Sequence, residues 1–436
     1  MTDYNKELIS FLDKSPTAFH AVANIKARLE AEGYTELAES AKWELSEGGK
    51  YFVVRNDSSI IAFRTPIFDF TGFMISAVHS DSPAFKVKEN PEIVENGYVK
   101  INVEGYGGML MAPWLDRPLS VAGRIIVKNG NKYEVRLVNM DRDLLLIPNV
   151  AIHMNRDANK GQTWNAQVDM LPVLGSADEV KGSFMRIIAE SAGVSDSDIL
   201  SHDLFLYVRD NGKVWGGSDE YISAPHLDDL QCVYGCLEGF LGAKPSSSVP
   251  ILAVFDNEET GSLSKQGADS TFLEDVLRRI SLASGKDEEG HYRAVSSSFM
   301  VSADNAHAVH PNHPEKADPA NRPAINKGIV IKFNAAQHYT TDAVSCAVYR
   351  DLCESNDIPV QVFTNRSDTR GGSTLGNVSN AHVSLNTVDI GLAQLAMHSC
   401  YETVGARDTK HLVDAMTIFY SKTFRVDAGG SFELLD

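Results

Sequence analysis

The chain has 436 residues, 43% of them hydrophobic, enough for a sizeable core in one large domain or two moderate ones. Its 40 lysines and arginines stand against 58 acids, a formal charge of −18 that argues against a nucleic-acid or anionic-membrane partner. No apolar run approaches the ~18 residues of a membrane span, and the five cysteines show no C-x-x-C spacing, so neither a zinc knuckle nor a disulfide framework is expected.

The N-terminal MTDYNKELISFL carries charge among its apolar positions and shows no signal-peptide core or cleavage site. With the cysteine usage this predicts a cytoplasmic protein. Two helical patterns follow around Ser15-Pro16-Thr17, the second closed by Gly33. Then come strand-like runs, YFVVR, SIIAFRT and GFMISAVHS. Between 91 and 219 the texture changes to short alternating segments (YVKINVEG, LSVAGRIIVKNG, KYEVRLVNM) parted by Gly and Asn, the pattern of antiparallel β structure. From 220 onward strands alternate with helices: ILAVFDNE, SSFMVSAD, GIVIKFN and AHVSLNTVDIG are strand-like, and the segments after Asp228 and Gly267 are helical. Such alternation predicts a largely parallel, buried sheet. The fold class is therefore α/β, a discontinuous α/β domain over 1–90 and 220–436 with a β-rich insertion over 91–219.

Open α/β sheets bind ligands beyond the carboxyl ends of their strands. Here those ends carry His79 and Asp81, then Glu258 and Glu259, then Asp304; Asp228-Asp229 precede a helix, and His398 lies in an apolar run expected to be helical. Taken singly, each has a bland explanation: solvated acids, a helix cap, a turn residue, a core histidine. Gathered at one sheet edge, they would strand charge unless a cation sat among them. Imidazole with carboxylate suits zinc or a similar divalent ion. In H-x-D, His79 binds through one ring nitrogen while Asp81 fixes the other. Of the adjacent glutamates, one is placed to bind metal and the other to act as general base.

The order H-x-D, D, E-E, D, H resembles the co-catalytic zinc aminopeptidases and carboxypeptidases. The words SPTAFHAV, HSDSPAFKVK, YGGMLMAPWLDRPLSVAGR, LLIPNVAIHMNRD, SADNAHAVHPN, NRSDTRGGST and QLAMHSCYE, in that order from about residue 8 to about 423, resemble aspartyl aminopeptidase of the M18 metallopeptidase family, its bacterial branch in particular. The resemblance implies a zinc-peptidase α/β/α sandwich with an inserted dimerisation domain. It implies two divalent ions, zinc by family default with cobalt or manganese as alternatives: His79 and Asp304 on one, Glu259 and His398 on the other, Asp228 bridging. Glu258 is then the general base and proton donor, Asp81 orients His79, and one ion takes the substrate's free α-amine. Lys332, with Tyr339 as a lesser candidate, is implied to meet an acidic N-terminal side chain. His153 is implied to reach a neighbouring subunit's site, in a homododecamer built from dimers. The partners so implied are peptides and further copies of the chain.

Two motifs depart from the family pattern. His226-Leu227-Asp228-Asp229 stands where R-L-D-N is usual, and Arg370 replaces a proline in the loop 367–373. Arg370 is either a second positive contact or a solvent residue, so preference for a neutral N-terminal residue is the first alternative. A di-zinc N-acyl amino-acid deacylase, needing no free amine, is another. A vestigial site in a non-catalytic assembly or cargo-binding protein is set against the presence of all seven metal and catalytic residues. His307 and His310 read as supporting or packing residues.

Overall fold

The computed structural model describes residues 3–245, 247–427 and 429–436. Two helices, Tyr4–Asp13 and Ala18–Ala31, open the chain, and Gly33 at φ +81° ends the second in the left-handed conformation that suits glycine. The apolar runs then form a thirteen-stranded sheet. At its centre Val249–Phe255, Phe73–His79, Phe299–Ala303 and Asn386–Leu395 lie side by side and parallel, in register Phe255↔His79, Ser302↔Ala77 and Ala303↔Ile390. All seven residues of Phe73–His79 and of Val249–Phe255 are buried, as a strand covered on both faces requires.

Outside this middle the sheet is mixed, with Thr35–Glu36 on Gly49–Arg55 and Ile329–Phe333 on Val360–Thr364 still parallel. Gly49–Arg55 pairs antiparallel with Ser59–Thr65, which pairs antiparallel with Val249–Phe255; on the far side Ile329–Phe333 and Glu402–Gly405 run antiparallel to Asn386–Leu395. The expectation of a largely parallel sheet therefore holds for the core strands, while the flanks mix parallel and antiparallel pairs. There, short connections such as the hairpin between Arg55 and Ser59 leave no room for a crossover helix.

Apolar side chains cover both faces. One face packs Leu12, Ile25, Leu237, Phe240, Met416 and Phe419 from the opening and later helices. The other packs Phe272, Val276, Leu277 and Ile280 against Phe63, Phe73 and Ile251. The result is an α/β/α sandwich. Among the described residues no helix is long and apolar enough to cross a membrane, and all five cysteines are buried and free.

The β-rich insertion is a separate six-stranded antiparallel sheet with its own core, including Phe85, Trp114, Val121, Ile125, Phe184 and Leu204. Its strands span Ala84 to Val208, starting ahead of residue 91 and closing before residue 219. Lys213–Trp215 already belongs to the large sheet.

Candidate metal centre

Because the central strands are parallel and in register, their carboxyl ends open on one edge. His79 is the last residue of its strand. Glu258 and Glu259 form a single turn just beyond Phe255, entered through Asn257 at φ +63°. That turn is held from below: Asn257 Nδ2 donates to the Tyr106 hydroxyl (2.8 Å), and its Oδ1 accepts from Ser264 Oγ (2.7 Å) and Gln266 Nε2 (2.8 Å). Asp304 follows Ala303, its N–H on the Ile390 carbonyl at 3.0 Å. Asp228 sits in a non-helical stretch (φ −86°, ψ 109°) at the head of the helix Leu227–Gly242.

His398 corrects the sequence expectation. Its apolar run is not helical: IGLAQL completes the strand Asn386–Leu395, paired on both sides, and His398 follows in a turn with φ +64°. Sheet pairing with distant strands overrides the local helical pattern.

Asp228 stands between two clusters. Its Oδ1 is 3.6 Å from His79 Nε2, which is 4.0 Å from Asp304 Oδ1. Its Oδ2 is 3.7 Å from His398 Nε2, which is 3.4 Å from Glu259 Oε2. Ligating atoms of His79, Asp228, Asp229 and Asp304 lie within 4.8 Å of one another, as do those of Asp228, Glu259 and His398. His79 Nε2, Asp228 Oδ1 and Glu259 Oε1 are buried with no hydrogen-bond partner. Buried polar atoms left unpaired are costly. Converging nitrogen and carboxylate donors of this kind fit divalent cations.

The electrostatics agree. Burial, reinforced by neighbouring acids, pushes Glu258 up to about 8 and Glu259 well above the usual carboxylate range. Burial does the same to Asp304 and Asp229. Asp228 is the exception: burial raises it, but the adjacent His79 imidazole, with further pull from His398 and Lys332, holds it below its ordinary value. Burial alone would weaken the Lys332 ammonium, yet the Asp304 carboxylate holds it charged. One lysine does not balance this many acids, and a cation among them removes the mutual repulsion.

Asp81 connects the first two motifs. In the tautomer that leaves Nε2 facing the cluster, His79 Nδ1–H donates to the Asp81 backbone carbonyl at 3.0 Å, with Asp81 Oδ1 at 3.4 Å. The carboxylate itself accepts the N–H groups of Glu258 (3.1 Å) and Glu259 (3.2 Å) and the Tyr106 hydroxyl (2.7 Å). Asp81 thus meets His79 through its backbone carbonyl, while its side chain chiefly secures the glutamate turn.

Several residues at the site escaped sequence reasoning. Asp229 accepts the His79 N–H at 3.3 Å. Tyr106, Gly107 and Gly108 come from the insertion: Tyr106 holds Asp81, Gly107 packs at φ +74° against Glu259, and the Gly108 carbonyl accepts from His398 Nδ1 at 2.5 Å. Asp389 takes both Thr340 Oγ1 and Thr374 Oγ1 at 2.6 Å, tying together two loops beside the site. Glu402 reaches both Asp228 and His398. Asp229 was visible beside Asp228 at the head of its helix; the others lay in words such as YGGMLM, AHVSLNTVDIG and QLAMHSCYE, without any indication of role.

The cluster opens into a cavity of about 170 Å³ lined also by His307, Lys332, Tyr339, Phe363 and Thr374. Lys332 Nζ lies 5.2 Å from the centre of the Tyr339 ring, but it donates to the carbonyls of Asp304 (2.7 Å) and Asn305 (3.4 Å) and stands 3.4 Å from Asp304 Oδ2. Arg370 and His310 are exposed and do not line this cavity; nor does His153, exposed on a loop of the insertion. A larger cavity of about 340 Å³ lies beyond Asp81, by Ser15, Phe19 and Arg124. Its cations Lys86 and Arg124 are already paired with Asp203, so it offers no comparable charge for a ligand.

The chain matches the family model described as aminopeptidase I zinc metalloprotease (M18) over residues 11–420. A probable M18 family aminopeptidase 2 of Clostridium acetobutylicum is 48% identical over 427 residues, covering 96% of this chain and 99% of that one. Among solved structures, the Ape4 chain of an Ape4–Nbr1 complex superposes with a TM-score of 0.93 at 33% identity, covering 96% of this chain and 85% of its own. A chain of the mApe1 dodecamer of S. cerevisiae gives 0.84 at 28% identity, covering 96% of each. The metal-ligand pattern at the sheet edge and the full-length match together place the chain in the M18 family of zinc metalloproteases, as an aminopeptidase.

Proposed function

We propose that the protein is a co-catalytic two-ion aminopeptidase releasing Asp or Glu from peptide N-termini. The observation that carries the two-ion reading is the position of Asp228, its two oxygens directed to His79 on one side and His398 on the other. His79 with Asp304 would hold one ion, His398 with Glu259 the other, and Asp228 would bridge, with zinc the family's metal. Bound there, the ions would polarise the scissile carbonyl, activate water and receive the substrate's free α-amine. Glu258 takes the proton from the attacking water and returns it to the leaving amine. Asp81 holds Glu258 and Glu259 in place through their N–H groups, and His79 presents Nε2 because its other nitrogen is engaged.

Lys332, beside Tyr339 in the cavity wall, supplies positive charge for an acidic first side chain. A second reading has a specific observation in its favour: Lys332 already serves Asp304, and Arg370 lies outside the cavity. That arrangement favours a neutral first residue.

The exposed apolar side chains of the insertion, among them Val150, Ile152, Met154 (78% exposed) and Val168 (71%), support its use as an assembly surface. By this reading the chain forms a homo-oligomer, a dodecamer like that of mApe1, in which His153 enters a neighbouring subunit's site.

Hydrolysis of matched peptides beginning with Asp, Glu, Leu and N-acetyl-Asp tests the proposal, with chelation and metal readdition. Chelator-sensitive release of Asp and Glu, with Leu and acetyl-Asp poor, is expected. A Leu preference would discard the acidic pocket and keep the metal site. Rapid cleavage of acetyl-Asp would remove the free amine from the mechanism.

A further inference from the structure

Glu402 is 2% exposed, on the strand Glu402–Gly405, and among the described residues no cation pairs with it. A buried carboxylate beside other carboxylates is unfavourable unless its oxygens are otherwise satisfied. Here each oxygen takes one backbone N–H: Oε2 accepts from Asp228 at 2.9 Å, and Oε1 from His398 at 2.7 Å. Both donors are unsupported by regular structure. Asp228 has non-helical angles at the head of its helix, and His398 is in the left-handed region, in a turn beyond its strand. The Asp228 and His398 segments are separated by about 170 residues of chain, and Glu402 is where they are joined. His398 is further secured from the insertion, its ring on the Gly108 carbonyl and its own carbonyl accepting the Leu110 N–H at 3.0 Å.

We infer that Glu402 is a positioning residue that clamps the backbones of Asp228 and His398, fixing the spacing of the second ion's ligands. The inference rests on the two-ion reading. His79 and Asp304 do not touch Glu402: His79 is held by Asp229 and Asp81, and Asp304 by Ile390 and Lys332. Loss of the clamp should therefore act more strongly on the second ion site, where both Asp228 and His398 rest on Glu402, than on the first, which shares only Asp228. Glu402→Gln keeps the shape but replaces one acceptor with a donor facing an N–H group, so one of the two bonds cannot form.

The test is titration of the metal-free full-length protein with Co²⁺, following the visible spectrum and bound-ion stoichiometry, alongside the unfolding midpoint of the metal-free form. Wild-type protein is expected to bind two ions per chain. Glu402→Gln should weaken the second ion by about 10- to 100-fold, the scale for residues that orient ligands, and the first, which loses support only at the shared Asp228, by clearly less. Its kcat should recover as Co²⁺ is raised, with the metal-free midpoint unchanged. A merely structural role would lower that midpoint and leave the two affinities in their wild-type ratio, which would overturn the clamp. So would two ions bound as tightly as in wild type with unchanged kcat. Should Glu402→Gln fail to fold, Glu402→Asp carries the same test, since the shorter side chain cannot span both N–H groups. A wild-type stoichiometry of one ion would instead overturn the two-ion reading, and the selective loss with it.

Discussion

At Glu258 and Glu259 two identical side chains acquire different work from their surroundings. Both follow the same buried strand and both N–H groups rest on Asp81. Both border the cavity, but Glu259 Oε2 stands 3.4 Å from His398 Nε2, whereas Glu258 belongs with His79, their ligating atoms within 4.8 Å. Glu258→Gln should keep metal content and assembly while lowering kcat by about 10²–10⁴-fold, the range for losing a general base; single-turnover kinetics on metal-replete protein check it, and normal turnover would refute the assignment. That adjacent glutamates would face different surroundings was legible because neighbouring residues diverge. The role of Lys332 was less so: its family counterpart pointed to substrate, and the structure adds a close engagement with Asp304 that no local sequence feature foretells.

At the scale of elements, the helix Leu227–Gly242 sets Asp228 at the sheet edge, and it does so by lying tight against the helix Asp408–Ser421. Gly235 and Gly239 make the approach possible. A Cβ on Gly239 would stand 2.6 Å from Met416 Cβ and 3.0 Å from the backbone of Met416 and Thr417. Gly239→Ala should gain about 1 kcal/mol in helix propensity but lose about 1–3 kcal/mol to overpacking, because backbone cannot give way as a side-chain tip can. Gly242→Ala is the control: its nearest contact is Thr417 Oγ1 at 3.5 Å, ordinary packing. Denaturant unfolding should show Gly239→Ala less stable than Gly242→Ala; the reverse order would mean the helices part without cost. The helix was readable from apolar spacing after Asp228. The need for glycine on one face was not, since the partner helix lies far along the chain.

Over the whole molecule, the insertion is part of the site as well as a neighbour to it. Tyr106, Gly107 and Gly108 brace Asp81, Glu259 and His398 from one loop. On another loop His153 is exposed beside apolar Ile152 and Met154. His153→Ala should reduce kcat by about 10²-fold, the scale of losing one preorganised donor, with metal content and oligomer size unchanged. Activity, metal analysis and light scattering on one preparation decide this, and an unaltered rate in an intact oligomer removes His153 from the site.

By itself the sequence determined the strands, the helices, the β-rich insertion and the chain order of candidate ligands, because apolar periodicity and strand-end chemistry are local properties. It also carried family membership, through motifs spread over nearly the whole chain. Tertiary structure decided the rest. The His398 run is a strand and turn because sheet partners on both sides outweigh a local helical pattern. The sheet mixes parallel and antiparallel strands because connection lengths, not strand composition, set direction. Asp81, Asp229 and Glu402 support the cluster through backbone N–H groups, all but that of His398 belonging to residues remote in sequence. Such bonds leave no periodicity or spacing to read, since every residue but proline has an N–H to offer and only the fold selects which one is met.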